Sequence, residues 1–188
     1  SDENHPEFPC DIYSANKSVS EKYVLIYCQA HKLRGTVVRL SNVFGPRASI
    51  HSSEFTFNNY FIGLALQDKA ITVFGDGLQK RNVTYVDDAI NAIILSSQTD
   101  KSIGEVLFAV SDEHLSVAEI ARLTVKHIGS GRVTCVEWPK ENKAIDIGDA
   151  IISNQKIKQT LKWSPMFNIE TGLTLTKDYY QTCLDKYI

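Results

Sequence analysis

Thr36-Val-Val-Arg-Leu-Ser-Asn-Val-Phe-Gly-Pro-Arg47 decides the fold class. Its first five residues are β-branched or apolar except for Arg39, and they predict a buried strand. Residues 41–47 then read as a polar strand-end turn closed by Gly45-Pro46. Upstream, residues 13–31 place Val19, Tyr23, Ile26 and Tyr27 at helical spacing, and Gly35 ends that unit. Helix, short loop, buried strand and polar strand end form the grammar of an α/β sheet. In such sheets ligands collect outside the C-terminal ends of the strands.

The same alternation continues downstream. Residues 48–54 are small and polar and predict a loop. A helix follows over 56–67, with Phe57, Tyr60, Phe61, Leu64 and Ala65 as its apolar face. Strands are expected at 71–74, 82–86, 105–110 and 132–138. Gly75-Asp-Gly77 is a tight turn that exploits glycine's access to positive φ. Asp87 or Asp88 is expected to cap a helix reaching Ser97, and Ser116 one reaching Ile128, which Gly129 ends. Residues 143–149 read as a polar loop, and 154–161 and 169–186 as helices. No internal repeat or flexible linker interrupts the chain.

Composition narrows the function. The chain has 188 residues, 43% hydrophobic and 22% charged, with a net charge of −2. That is an ordinary globular composition without the basic excess that a phosphate-backbone binder needs. No apolar run reaches the length of a membrane span. The opening Ser1-Asp-Glu-Asn-His-Pro6 is acidic and polar, unlike a secretory signal. Cys10, Cys28, Cys135 and Cys183 are scattered, with no C-x-x-C and no histidine at ligand spacing. This predicts a reducing, cytoplasmic setting with neither a disulfide framework nor a metal site.

The chemistry concentrates at Asp11-Ile-Tyr-Ser-Ala-Asn-Lys17. Tyr13 and Lys17, four residues apart, share one helix face. A free phenol titrates near pH 10, and a cation held beside it favours the phenolate. Such a tyrosine can exchange a proton with a sugar hydroxyl during hydride transfer. Tyr-x-x-x-Lys alone is equally the mark of a solvated pair on an amphipathic helix, so context decides.

That context comes in order along the chain. After the Tyr13 motif stand Val38-Arg-Leu-Ser-Asn-Val-Phe-Gly-Pro-Arg47 and Phe61-Ile-Gly-Leu-Ala-Leu66. Phe74-Gly-Asp-Gly-Leu-Gln-Lys-Arg81 then runs into Tyr85-Val-Asp-Asp88, and Leu161-Lys-Trp-Ser-Pro165 closes the series. The set resembles the NAD-dependent epimerase/dehydratase family, the extended short-chain dehydrogenases that act on nucleotide sugars. The resemblance spans essentially the whole chain.

It implies a fold and a division of labour. The fold would be α/β: the C-terminal part of a Rossmann-type parallel sheet with a smaller α/β substrate-binding lobe. Residues 1–50 and 82–112 would belong to the NAD-binding domain, and 51–81 and 113–188 to the lobe. Tyr13 would be the catalytic acid/base and Lys17 its partner, both also touching NAD, with Leu40 and Val43 beside the cofactor. Asn42 would contact the sugar nucleotide, or else serve as a turn former before Gly45-Pro46. Arg81 would hold the diphosphate with its planar fork, unless it is a surface arginine beside a strand. Val73 and Phe74 would lie by the nucleotide base, Phe74 serving equally well as core. Asp87 and Asp88 read as a cap and a structural partner, not as catalytic acids.

Other positions depart from the family pattern. The phosphate-contacting residue near the start of the 56–67 helix falls on Thr56, with Asn58 and Asn59 close by. A later family arginine falls on Lys143 or beside it on Asn142. Asp146 matches an acid that contacts the ribose or base, and a solvated loop is an equal reading of both late positions. The Gly-rich dinucleotide fingerprint is nowhere in the sequence, nor is the Ser/Thr that the family places upstream of its tyrosine. The chain therefore reads as the C-terminal part of a longer enzyme, with tight NAD binding by the piece alone not expected. The activity implied is that of a UDP-glucose 4-epimerase-like enzyme working through a transient 4-keto sugar. A 4,6-dehydratase and a non-catalytic sugar-nucleotide-binding fragment are the alternatives. The implied partners are a nucleotide-diphosphate sugar and a second copy of the chain, paired through helix 13–31.

Overall fold

The computed structural model describes residues 1–54, 56–140, 143 and 147–188. The chain opens with an extended segment and helix α1 (Ile12–His31), followed by β1 (Val37–Leu40) and β2 (Asn42–Phe44). Then come α2 (Phe57–Leu66), β3 (Ala70–Phe74), β4 (Lys80–Arg81), β5 (Val83–Tyr85) and α3 (Val86–Ser97). The second half holds β6 (Val106–Ala109), β7 (Leu115–Ser116), α4 (Val117–Ile128), β8 (Arg132–Val136), α5 (Gln155–Leu161) and α6 (Ile169–Gln181).

Three of the strand pairings are parallel. β1 pairs with β6 in the register Val37↔Val106, β2 with β5 in the register Asn42↔Val83, and β3 with β8 in the register Ala70↔Arg132. The short β4–β7 pair is antiparallel. Parallel neighbours require crossover connections, and these pass through helices, as the alternating grammar implies.

Two corrections concern strand and helix ends. The stretch after β1 is more than a turn. The chain steps at Ser41 and then runs straight into β2, which leaves β6 behind and pairs with β5. Val43 and Phe44 have the side chains for a strand, and buried Phe44 meets Tyr85 edge-on at 5.7 Å. The cap of α3 is Tyr85, without a side-chain bond. Asp87 and Asp88 lie one step later, in the first turn, where carboxylates suit the helix dipole. By contrast, Ser116 caps α4 with a reciprocal Glu119 box, and Gly129 ends that helix at φ 87°.

The apolar interior falls into two clusters. The larger joins α2, α4 and α6 to β3, and also takes Phe44, Val83 and Tyr85. The smaller holds Ala92, Leu107 and Ala109 with Ile157 and Trp163. Ile157, Leu161 and Trp163, although within 113–188, therefore pack against α3 and β6 and not against the α2–α4 body.

Candidate functional site

α1 begins with a capping box. Asp11 Oδ1 accepts from the Ser14 backbone N–H at 2.6 Å, and the Ser14 hydroxyl closes the exchange. The Ser14 bonds hold the Asp11 carboxyl below the usual range. The box starts the helix immediately before Tyr13. The Tyr13 ring is 71% exposed, and Lys17 Nζ lies 5.4 Å from its centroid. The two side chains therefore meet as the spacing requires, with the ammonium over the ring face.

The strand end beyond β1 is crossed by amide hydrogen bonds. Asn42 Nδ2 donates to the Asn82 carbonyl at 3.1 Å. Asn58 Nδ2 donates to the Asn42 carbonyl at 3.2 Å, and Asn59 Nδ2 to the Val43 carbonyl at 3.0 Å. Thr56 Oγ1 accepts from Asn59 at 2.6 Å. α2 is thus pinned by its first turn to β2. Leu40 is 44% exposed and Val43 half-buried. Asn58 is buried, its Oδ1 has no hydrogen-bond partner among the described residues, and the residue lines a small void with Phe44, Ile62 and Leu173. The structure does not bring Asn58 to an open surface.

A separate cavity of about 640 Å³ lies between the start of α2, β3 and β4. Phe57, Tyr60 and Phe61 form one side, and Val73, Phe74, Gln79 and Arg81 another. Three residues expected at the nucleotide, Val73, Phe74 and Arg81, are therefore brought together. Val73 is itself almost fully buried. Arg81 sits in β4 with Nη1 donating to the Gly148 carbonyl at 2.5 Å and to the Lys80 carbonyl at 2.8 Å. These bonds spend one edge of the guanidinium on holding its place. Phe74 stacks at 5.5 Å on Trp138, whose indole occupies the space a side chain at Gly75 would need. Lys143 is exposed and lies in a helical turn, its N–H bonded to the Pro139 carbonyl, where a loop was expected. Asp146 lies outside the described residues. Among the described residues no three His, Cys, Asp or Glu side chains cluster as metal ligands, and no helix is long and apolar enough to cross a membrane.

A profile of the NAD dependent epimerase/dehydratase family matches residues 1–108. The chain belongs to that family. This epimerase/dehydratase chain is 29% identical over 182 residues to UDP-glucuronic acid decarboxylase 1 of Xenopus tropicalis, covering 96% of the chain and 41% of that protein. It is 27% identical to the dTDP-D-glucose 4,6-dehydratase of Mus musculus, covering 96% of the chain and 50% of that protein. Among solved structures, the UDP-glucose 4-epimerase of Thermotoga maritima with UDP-glucose superposes with a TM-score of 0.88 at 26% identity. That match covers 98% of the chain and 58% of the epimerase. The chain thus spans about half the length of the relatives it matches, and those relatives are enzymes of three related activities.

The sequence reading missed Ser53, Tyr60 and Gln79 as cavity walls. It also missed the charged group of Glu7, Glu21, Lys22 and Arg39 beneath α1. Tyr60 was read as core because it falls on the apolar helix face. Glu7 lies in a polar, proline-flanked segment with no periodicity to mark it. Arg39, the one charge inside a strand-like run, was the available signal.

Proposed function

We propose that the protein carrying this chain is an NAD-dependent nucleotide-sugar 4-epimerase. The observation that carries this reading is Lys17 held over the exposed Tyr13 ring in a chain of the epimerase/dehydratase family. In this reading Tyr13 takes the sugar C4 hydroxyl proton and later returns it. Lys17 keeps positive charge beside the phenol. Asn42 orients the sugar. Arg81, with Phe74 and the Val73 backbone, holds the nucleotide in the 640 Å³ cavity, and Thr56, Lys143 and Asp146 keep the substrate-contacting roles that the family pattern implies.

An exposed phenol with a cation beside it suits the ribose and nicotinamide end of NAD, to which Leu40 and Val43 are also assigned in this reading. Bound NAD would supply a reversible hydride acceptor for the sugar C4. The residues for the pyrophosphate cradle are not in this sequence, so the chain by itself is expected to bind NAD weakly. The lobe division proposed is 1–50 and 82–112 against 51–81 and 113–188, with α5 and Trp163 packed on the first body. The exposed Ile12, Val19 and Tyr23 fit pairing of two copies through α1.

The dehydratase relative, at identity close to that of the epimerase structure, keeps a 4,6-dehydratase as the second reading. In the full-length protein, Tyr13→Phe should abolish turnover of a UDP-sugar while leaving its Kd within a few-fold. Retained turnover removes Tyr13 from the mechanism. Appearance of a stable 4-keto-6-deoxy product would replace epimerase with dehydratase.

A further inference from the structure

Among the described residues of α1, the buried side chain is a charged one, Glu21. Arg39 of β1 takes it with a two-point fork, Nε to Oε2 at 2.8 Å and Nη2 to Oε1 at 2.7 Å. The same guanidinium reaches Glu7 Oε1 at 2.6 Å and stacks 5.1 Å over the Phe108 ring of β6. Lys22 closes the group, at 2.6 Å from Glu7 and 3.3 Å from Glu21, and Ser18 donates to Glu7. Two carboxylates therefore face two cations. Of the apolar side chains of α1, Ile12, Val19, Tyr23, Ile26 and Tyr27 are all more than 45% exposed, and Val24 and Leu25 are half-buried.

The fork lies at an informative height. α1 runs antiparallel to β1, because a short loop joins the helix to the strand. From Glu21 back to Tyr13 is eight residues, about 12 Å of helix. From Arg39 forward to Asn42 is three residues, about 10 Å of strand. Both paths lead from the fork toward the same end of the sheet. Apolar contacts let a helix slide and rotate, whereas a bidentate ion pair fixes two points at once.

We propose that Glu21 and Arg39 are positioning residues for the reaction: their fork sets the height and rotation of α1 on β1, and so holds Tyr13 and Lys17 opposite Asn42. Glu7 and Lys22 extend the lock to the segment before the helix. This rests on the acid/base reading of Tyr13.

The test uses the full-length protein with Glu21→Leu/Arg39→Leu, Arg39→Lys and Tyr13→Phe. Replacing both charges by apolar groups removes the fork without leaving a lone buried charge, so the double variant should fold. Retained amide protection in α2 and α4 verifies folding. The double variant should show kcat lowered ten-fold or more, KM for the UDP-sugar within two-fold, and α1 amides exchanging ten-fold faster. Arg39→Lys keeps the charge but not the fork, and should recover only part of kcat. A folded double variant with wild-type kcat and wild-type α1 amide protection, beside an inactive Tyr13→Phe, overturns this proposal alone. Full kcat in Tyr13→Phe overturns the acid/base reading and this proposal with it. If the double variant does not fold, Arg39→Lys decides: wild-type kcat and α1 protection in it overturn the proposal, and a partial loss of both supports it.

Discussion

The Trp163 indole donates to the backbone carbonyl of Asp88 at 3.2 Å, and both residues are almost fully buried. The Asp88 carboxylate in turn accepts the backbone N–H groups of Met166 and Phe167 at 2.8 and 3.1 Å. One aspartate thus ties 163–167 to the first turn of α3. Burial pushes its carboxyl pKa up, and the two N–H bonds partly oppose that rise.

Asp88→Ala should be destabilising, because it leaves two partly buried backbone N–H donors without their acceptor. Each stranded donor costs about 1–3 kcal/mol. At about 2–4 °C per kcal/mol for a chain of this length, the thermal midpoint should fall by several degrees. Asp88→Asn keeps one acceptor and should lie between. A thermal melt followed by circular dichroism decides, and an unchanged midpoint for Asp88→Ala would mean that the 163–167 segment is held by other contacts.

Asp88 also marks how far the sequence can be read. The adjacent pair Asp87-Asp88 announces a helix start, and one of the two was expected to be a structural partner. Nothing local names the partner, because Met166 and Phe167 lie nearly eighty residues away. The split of residues 37–44 into two strands has the same cause: β-branched spacing shows strand character, but pairing with β6 or β5 is a tertiary choice. Asn42, Thr56 and Asn58 were legible as a polar group near one strand end. Which of them faces the protein interior depends on the first turn of α2, and Asn58 proves to be spent on the Asn42 carbonyl. The Glu7–Arg39 contact joins a loop to a strand and leaves no periodic trace.

Gly63 illustrates a backbone approach that helix propensity alone would misjudge. It lies mid-helix in α2, where alanine is ordinarily better by about 1 kcal/mol. Here an added Cβ would stand 1.9 Å from the Ile50 carbonyl oxygen. Gly63→Ala should therefore destabilise, by about 1–3 kcal/mol, the usual cost of overpacking a core. Urea unfolding of the two proteins measures it. A raised midpoint would show that residues 48–54 yield freely to α2.

Arg81 offers a binding test that does not depend on turnover. Its backbone is paired with Leu115 and its Nη1 is held by the Gly148 and Lys80 carbonyls, which present the guanidinium at the cavity wall. A hydrogen bond to a charged group contributes about 1.5–3 kcal/mol, or roughly ten- to hundred-fold in Kd. Arg81→Ala should weaken UDP binding to the chain by that factor in calorimetry, and Arg81→Lys by less. Equal Kd for all three would place the nucleotide elsewhere.

The pH dependence of α1 follows from Glu7. The Lys22 hydrogen bond, then that of Ser18, lowers its pKa from 4.5 to about 2. A carboxylate depressed in the folded state adds stability that is complete above its unfolded pKa and is lost as pH falls through the folded one. The window is therefore pH 4.5 down to 2, with Lys22 and Arg39 charged throughout. Urea midpoints of the wild type should fall toward those of Glu7→Gln across that window, and the two should converge at its acid end. The Glu7 side chain keeps 29% of its surface exposed and Lys22 51%, so the gap between them should be modest and should shrink in about 0.5 M salt, as for other solvent-accessible pairs. A gap that stays constant from pH 6 to 2 would show that Glu7 is not tied to Lys22 in solution.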